Sequence, residues 1–278
     1  MAFGSSGLRF TSSRLVSDKV AALGAETETE FAIEGQLSFV VPPGATVKAG
    51  NYVCSATVQT PGIITTAGHC TEDGNGHAYK NWLFVPVTRS GSAPFGKWAY
   101  RTVFPSPTWA SGGGTVPNDQ DVAVIVFRKD KSGHRLGDYT GTAGFNIPDL
   151  YSGQQVTVLG YPCNIDNCAK DHRTDAQAAG GSGNTDIIGA DAGGGSSGGG
   201  WIVNYGVFGK GQPASGVSDD GQNELVAVTS YGPTTGVGYL GASILDNRYI
   251  QCTPLKTCAG GHASAILNIA CQDYPGAC

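Results

Sequence analysis

The feature that most constrains the fold is a succession of short apolar runs, four to seven residues long, separated by Gly, Pro, Asn and Ser. Runs of this length that are rich in β-branched and aromatic residues are typical of strands. A first group comprises Leu37–Val41, Tyr52–Val58, Ile63–Thr66, Trp82–Val87, Trp98–Val103 and Val122–Phe127. A second group comprises Gln155–Leu159, Asp186–Gly189, Trp201–Tyr205, Leu225–Tyr231 and Tyr239–Ile244. Two such groups, joined by a polar connection near residues 128–150, predict an all-β protein built as paired barrels or as a sandwich.

Composition excludes several other classes. Glycine occupies 43 of 278 positions and charged residues make up only 14%, which does not fit long helices or coiled coils. With a net charge of −5 and 17 Lys and Arg, the chain has no strongly basic surface for nucleic acid. No apolar run approaches the roughly 18 residues of a membrane span. We therefore expect neither nucleic acid nor a membrane as a partner, and we expect a monomer.

The cysteines indicate an oxidising compartment, because their number is even in a chain that has one Met and little charge. We therefore predict a secreted, extracellular protein. No Cys-x-x-Cys pair occurs, so we expect no metal site and no cofactor. Half of the eight cysteines fall in residues 252–278, and the pairing of these four stays open: Cys252, Cys258, Cys271 and Cys278.

The domain organisation is inferred from changes in composition along the chain. Residues 1–34 are polar and are interpreted as an N-terminal arm or a propeptide remnant. Residues 35–251 are predicted to form the main domain, with its two groups of strands at about 35–130 and 150–251. Residues 252–278 form a cysteine-rich C-terminal tail tied by disulfides.

A histidine next to a cysteine ends the first segment that carries chemistry. The segment T-T-A-G-H-C runs from Thr65 to Cys70 and ends a predicted strand. Alone, His69 reads as a structural histidine. However, Cys54 lies sixteen residues before Cys70 in another strand-like run, and a bridge between them would fix the loop that bears His69. A general base needs such fixing to stay within reach of its nucleophile.

An aspartate and a serine occupy the other two segments. Asp121 precedes a nearly apolar strand, where a carboxylate at the edge of the core can accept an imidazole N–H. A solvated turn is the simpler interpretation, and Asp119 competes for the role. Ser197 lies in the glycine-rich run D-A-G-G-G-S-S-G-G-G, whose backbone freedom suits a turn that exposes a hydroxyl and aims N–H groups at one point. Such a run is also common in linkers.

In combination the three segments resemble the chymotrypsin-like, or trypsin-fold, serine peptidases. The order His, Asp, Ser is that of the family, with separations of 52 and 76 residues. The resemblance covers about residues 35–250 and is nearer to bacterial and fungal secreted members than to digestive ones. It implies two six-stranded antiparallel β-barrels and a peptidase that acts on proteins or peptides through an acyl-enzyme.

The resemblance also assigns roles. Ser197 is the expected nucleophile, His69 the general base and then acid, and Asp121 the residue that orients His69. The N–H groups of Gly195 and Ser197 form the expected oxyanion hole. The segment Ser230-Tyr231-Gly232 matches the strand that supports the aspartate and pairs with substrate. The bridge Cys54–Cys70 matches the family bridge behind the histidine, and Cys163–Cys168 is expected to close a local loop.

Three positions bear on activation and specificity. Gly200 stands where the family usually has Pro, which removes no catalytic atom. Ser196 stands where digestive members have an Asp that pairs with a newly cut N-terminus, so we expect an oxyanion hole that needs no inserted terminus. Asp191 lies six residues before Ser197, as in members that cleave after Arg or Lys. The alternatives are a glutamyl-specific endopeptidase, a non-catalytic binding module on the same fold, and an extracellular structural protein.

Overall fold

The computed structural model describes residues 2–3, 6–16, 32–145, 150, 152–206, 223–233, 235–245 and 263–278. Its regular structure is almost entirely antiparallel β, as the short apolar runs predicted. None of the helices in these residues has both the length and the apolar composition needed to cross a membrane. Cys252 and Cys258 lie outside the described residues.

The chain begins with a short hairpin that joins the second barrel. Its strands are β1 (Ala2–Phe3) and β2 (Arg9–Arg14). Arg14 donates two hydrogen bonds of 2.7 Å to the Asp166 carboxylate, which fastens the end of β2 to a loop of that barrel. Part of the N-terminal arm therefore contributes a strand, β2, to the sheet of the second barrel.

The first barrel is closed and six-stranded, in the order β3-β4-β5-β8-β7-β6. Its strands are β3 (Glu34–Val41), β4 (Gly50–Thr60), β5 (Ile63–Thr66), β6 (Lys80–Pro86), β7 (Trp98–Pro105) and β8 (Ala123–Phe127). Side chains of β3 alternate between buried and half-buried, as a strand with one core face requires, whereas β8 is buried throughout. The short helices α1 (Pro107–Ser111) and α2 (Gly137–Thr140) flank β8 in sequence.

The second barrel differs from the expected six strands. Its strands are β9 (Gly144–Phe145), β10 (Gln155–Gly160), β11 (His172–Gln177), β12 (Thr185–Ala190), β13 (Gly200–Val203), β14 (Glu224–Tyr231) and β15 (Gly238–Ile244). Together with the N-terminal hairpin they form a nine-stranded sheet in which β2 pairs with β11 and lies near β12. The sheet nearly closes because β2 stands between these two edges as an additional strand.

The C-terminal segment packs into the molecule's core. Helix α3 (Ala263–Asp273) is followed by a 3₁₀ turn, and the disulfide Cys271–Cys278 ties the two together, as expected for the tail. Ala263, Ile266 and Ala270 belong to one buried cluster with side chains from both barrels. The helix therefore covers apolar surface where the barrels meet.

Candidate active site

His69 lies on a 3₁₀ turn, Gly68–Cys70, directly after β5. A disulfide joins Cys70 to Cys54 on β4, so the turn is held covalently from the neighbouring strand. The edge of Trp109 lies against the imidazole, with ring centroids 6.3 Å apart. The side chain of His69 is 28% exposed, which leaves part of its ring open to a reacting group.

Asp121 is the carboxylate that holds His69. It is fully buried, and its Oδ2 lies 2.7 Å from His69 Nδ1, while its Oδ1 accepts a 2.7 Å hydrogen bond from the His69 backbone N–H. Ser230 Oγ donates a further hydrogen bond of 2.6 Å to Oδ2. The chain Ser230–Asp121–His69 therefore crosses from β14 of the second barrel to the first barrel. Of the two candidate aspartates, Asp121 is the one that contacts His69.

This contact sets the proton affinity of the imidazole. Burial lowers the pKa of His69, but the negative charge of Asp121 and its hydrogen bond raise that pKa by more. The net effect is a pKa above the ordinary 6.5. Because Asp121 accepts at Nδ1, the Nε2 atom of a neutral His69 is the nitrogen that is left as a proton acceptor.

The Ser197 loop requires glycine at two positions. Gly195 has φ +96° and Gly198 has φ +80°, a region that other residues rarely adopt. A Cβ on Gly195 would also lie 2.7 Å from Cys163 Sγ, and one on Gly198 would lie 2.9 Å from the backbone nitrogen of Ala67. The second approach brings the Ser197 loop directly against the end of the strand that leads to His69.

Backbone hydrogen bonds fix this loop from both barrels. The Ser55 backbone N–H donates to the carbonyl oxygen of Ser197 at 2.7 Å, and Ser55 Oγ donates to that of Gly195 at 2.8 Å. From the second barrel, Thr229 accepts a 2.7 Å hydrogen bond from the Gly198 N–H. The side chain of Ser197 itself is half-buried. The structure thus places Ser197 beside the His69 turn.

The two N–H groups expected in the oxyanion hole donate no hydrogen bond within the described part of the chain. The carbonyl oxygen of Gly194 accepts a 2.7 Å hydrogen bond from the Cys163 N–H. Since N–H and C=O of a trans peptide point in opposite directions, the Gly195 N–H points away from Cys163. Neither the Gly195 N–H nor the Ser197 N–H donates to another described residue. Both remain able to donate to an incoming oxygen.

The residues expected to contact substrate lie near this loop and at the end of β14. Asp191 has a buried Oδ1 with no hydrogen-bond partner among the described residues, and its carbonyl oxygen accepts from Asn164 Nδ2 at 2.8 Å. Tyr231 ends β14, with its ring against Gly241 of β15. Gly232 follows with little beside it, since a Cβ there would come no nearer than 3.5 Å to another residue.

Two contributors to the site escape sequence reasoning. Ser55, on β4 of the first barrel, links that barrel to the Ser197 loop and to the end of β10, because its hydroxyl donates to Gly195 and accepts a 2.9 Å hydrogen bond from the Tyr161 N–H. Trp109 lies forty residues from His69, on the short helix α1. A serine directly after a cysteine and a tryptophan two residues after a proline belong to no motif that would identify them.

One group of side chains has the spacing of metal ligands within the described residues, namely Cys54, His69 and Cys70. Both sulfurs belong to one disulfide, so they cannot serve as thiolate ligands. Cys163 and Cys168 are likewise bonded to each other, next to the Ser197 loop.

The comparisons with known proteins bear on the fold of the chain. No protein-family model matches the sequence, and no curated protein does. Among solved structures, the protease Anisep from Arthrobacter nicotinovorans has a TM-score of 0.63 and 26% identity, covering 80% of this chain and 93% of Anisep. The thermostable serine protease AL20 from an extremophilic microorganism has a TM-score of 0.63 and 23% identity, covering 78% and 93%.

A third solved structure, a Glu endopeptidase, has a TM-score of 0.60 and 15% identity, covering 93% of this chain and 95% of the endopeptidase. At that identity the likeness concerns the fold. In motif order and in its two-barrel architecture, the chain resembles the chymotrypsin-like serine proteases.

Proposed function

We propose that this chain is a serine endopeptidase that hydrolyses peptide bonds through an acyl-enzyme, with Ser197 as nucleophile, His69 as base and Asp121 as its orienting partner. The observation that carries the proposal is the hydrogen-bond chain Ser230–Asp121–His69, which ends at an imidazole beside the Ser197 loop. A solvated aspartate or a structural histidine needs no such chain.

The proposed reaction has two stages. Ser197 Oγ bonds to the scissile carbonyl carbon while His69 Nε2 takes the hydroxyl proton. The carbonyl oxygen becomes negative and is stabilised by the N–H groups of Gly195 and Ser197. His69 then gives its proton to the leaving amine as the C–N bond breaks. Water releases the acyl group by the same steps, with His69 again as base.

Activation without an inserted N-terminus forms part of the proposal. Ser196 is buried and carries no charge to pair with an ammonium group. The carbonyl contacts of Gly194 and Gly195 hold the loop instead, through Cys163 and Ser55. We therefore expect catalysis that does not depend on which residue begins the mature chain.

For specificity we propose cleavage after Arg or Lys. The buried carboxylate oxygen of Asp191 has no partner among the described residues, and a substrate guanidinium or ammonium would supply one. Cleavage after Glu is the second candidate, favoured by the likeness of the fold to a Glu endopeptidase. Proteins or peptides are the substrates, no cofactor is required, and the enzyme acts as a monomer outside the cell.

Covalent labelling tests the nucleophile. An organophosphonate bonds only to an activated serine, so the folded protein should be labelled stoichiometrically at Ser197. Ser197→Ala is the matched control and should lose both the label and about 10⁶-fold in kcat. A folded protein that takes up no label would instead be a non-catalytic module.

Matched peptides that differ only in the residue before the scissile bond test the specificity. We expect kcat/KM to be highest after Arg or Lys, and Asp191→Asn to lose most of that preference without losing the label. Faster cleavage after Glu in the wild type, with a further gain in Asp191→Asn, would establish the second candidate.

A further inference from the structure

The disulfide between Cys163 and Cys168 closes a short loop, residues 163–168, that lies against the Ser197 loop. The Cys163 N–H donates a 2.7 Å hydrogen bond to the carbonyl oxygen of Gly194. A Cβ on Gly195 would lie 2.7 Å from Cys163 Sγ. The Cys163–Cys168 loop therefore supports the part of the Ser197 loop that carries the first N–H of the expected oxyanion hole.

The direction of that N–H depends on the contact with Cys163. The carbonyl oxygen of Gly194 and the N–H of Gly195 belong to one planar peptide, so the direction of one fixes the direction of the other. While the oxygen accepts from Cys163, the N–H points into the hole. If this peptide turned over, a carbonyl oxygen would replace the donor, and the developing oxyanion would lose a hydrogen bond.

The backbone of the Cys163–Cys168 loop is unfavourable by itself. Asp166, Asn167 and Cys168 have φ values of +51°, +52° and +60°. Residues other than glycine adopt this left-handed region as single residues rather than in succession. The loop therefore needs contacts from outside to hold it. One comes from the first barrel, where Gln36 Nε2 donates to the carbonyl oxygen of Cys168 at 2.6 Å.

The Asp166 carboxylate makes the other outside contacts, and both are with strands of the second barrel. Arg14, which ends β2, donates from Nε to Oδ2 and from Nη2 to Oδ1, each at 2.7 Å. His172 stands opposite Arg14 in the β2–β11 pair and places its Nε2 2.9 Å from Oδ2. The hydrogen bond from Arg14 above all, and then that from His172, hold the pKa of Asp166 well below its usual range against the effect of burial.

The backbone that presents Arg14 is itself fixed. The Leu15 N–H donates to the carbonyl oxygen of Asp171 at 3.1 Å, and Arg89 Nη2 donates to that of Val16 at 2.6 Å. The two-point geometry of the pair fits the planar guanidinium to the carboxylate. The side chain of Arg14 is nevertheless 43% exposed, so it can be replaced without opening the core.

We propose that Arg14 is a positioning residue for the oxyanion hole. Its ion pair with Asp166 fixes the Cys163–Cys168 loop, and that loop keeps the Gly195 N–H directed into the hole. Support thus comes from a side chain of β2, where Ser196 has no charge to pair with an amine. The residue that begins the mature chain remains without effect as long as Arg14 is kept. The inference rests on the proposed function.

The first test is Arg14→Met, which keeps the length of the side chain and removes its donors. We expect kcat on a peptide substrate to fall about tenfold or more, up to the roughly 10²–10³-fold that the loss of one oxyanion-hole donor costs. KM should change little, because the N–H acts on the transition state rather than on the bound substrate. A variant with the wild-type kcat would overturn the proposal.

A peptidyl trifluoromethyl ketone separates this role from a merely structural one, because its adduct with a serine carries an oxyanion. In Arg14→Met its Ki should rise by the factor by which kcat/KM falls. The affinity of the matching unreactive peptide should stay near that of the wild type. Equal losses for the ketone and the unreactive peptide would mean a general loosening of the site and would overturn the proposal.

Arg135→Met is the matched control. Arg135 forms a comparable pair with Asp138 of α2, with Nη2 and Oδ1 3.0 Å apart, and this pair makes no hydrogen bond to the Ser197 loop in the described part of the chain. Its kcat and its ketone affinity should equal those of the wild type. A loss as large as that of Arg14→Met would show that removing any surface ion pair has this effect, and the proposal would fail.

Asp166→Asn tests the same link from its other end and leaves β2 unchanged. Asparagine tolerates the left-handed backbone, so the variant removes the charge without a new steric conflict. Its kcat should fall in the same way, and Arg14→Met/Asp166→Asn should lose no more than the more damaged single variant. Losses that multiply in the double variant would mean that the two residues act separately, which would overturn the proposal.

The phosphonate label distinguishes the two proposals. A wild type that is labelled and active, with Arg14→Met and Asp166→Asn equally active, would refute the role of Arg14 and leave the proposed function intact. A folded wild type that neither turns over nor takes up the label would refute the proposed function, and the role of Arg14 with it.

Discussion

Asp121 and Glu34 are both completely buried carboxyl groups near the seam between the barrels, but their hydrogen bonding differs. Asp121 receives the His69 imidazole, the His69 backbone N–H and the Ser230 hydroxyl on its two oxygens. Glu34 receives the Thr57 hydroxyl on one oxygen, and the other has no partner in the described part of the chain. The difference shows that donors, rather than depth of burial, decide what a buried carboxyl can do.

The two sites also differ in what their charge accomplishes. At Asp121 the negative charge raises the pKa of His69. The free-energy cost of burying this carboxylate is therefore offset by its interaction with the imidazole. At Glu34 burial raises the pKa of the carboxyl itself, and the charge of Glu34 in turn raises the pKa of Asp171. The first site orients a base, and the second retains a proton.

The largest effect expected within this comparison comes from Asp121→Asn. The amide N–H₂ faces groups that are themselves donors, so His69 loses its acceptor at Nδ1 and takes the wrong tautomer. We expect kcat to fall by about 10⁴ while the fold is retained. Steady-state kinetics on a peptide substrate measures this, with circular dichroism for the fold. Asp119→Asn is the matched control, and a damaging Asp119→Asn with a silent Asp121→Asn would reverse the assignment.

Asp121→Asn should be harmful to activity, whereas Glu34→Gln should be favourable to stability as the pH rises. The pKa of Glu34 is about 8 in the folded chain and 4.5 when unfolded, so the unfolded chain releases its proton first as the pH rises. Stability is therefore lost between pH 4.5 and 8. An amide cannot ionise and removes this loss.

Relative to the wild type, we expect Glu34→Gln to gain on the order of 3 kcal/mol in unfolding free energy between pH 4 and pH 7. Urea unfolding at the two pH values measures the change. Because the comparison is between pH values of the same variant, any fixed packing cost of the amide cancels. An equal difference at both pH values would mean that Glu34 is already ionised in the folded chain.

The sequence predicts the parts of the molecule that have a local signature. The run Val122–Phe127 anticipates β8 to within one residue, because a strand buried on both faces is apolar throughout. The order His69, Asp121, Ser197 is readable because each residue lies in a short motif. The positions of these side chains relative to one another remained hypotheses until the fold was known.

The parts without such a signature were missed. Strand β11 reads H-R-T-D-A-Q, and its alternating burial falls on His172, Thr174 and Ala176, which do not form an apolar pattern. Strand β2 reads R-F-T-S-S-R, and it forms because β11 offers an unpaired edge. Glu34 and Asp171 are both buried acids, and neither has a local feature in the sequence that marks it as buried.

Ser230→Ala removes one of the hydrogen bonds that the Asp121 carboxylate accepts. The carboxylate then has fewer donors, as the Glu34 carboxyl does. The removed contact is the 2.6 Å bond to Asp121 Oδ2, and the hydroxyl is buried. A hydrogen bond to a charged group contributes about 1.5–3 kcal/mol, so we expect kcat/KM to fall by about tenfold or somewhat more, with a small loss of stability. Thr229→Ser, at the neighbouring buried position, keeps a hydroxyl and should have little effect on turnover.

The smallest expected effect is an upward shift of the midpoint on the acidic side of the wild type's pH profile of kcat/KM. His69 must be neutral to accept the Ser197 proton, and the charge of Asp121 holds its pKa above the ordinary 6.5. The kcat/KM of the free enzyme should therefore fall as the pH decreases through a midpoint above 6.5. For stability the sign is reversed: the protonated imidazole stabilises the fold fully below pH 6.5, and this contribution is lost as the pH rises through the folded pKa. A pH profile with a non-sticky peptide substrate locates the midpoint. Glu34→Gln should leave this midpoint in place, because Glu34 is not among the groups that shift the pKa of His69. A midpoint at or below 6.5 would mean that burial outweighs Asp121 at the imidazole.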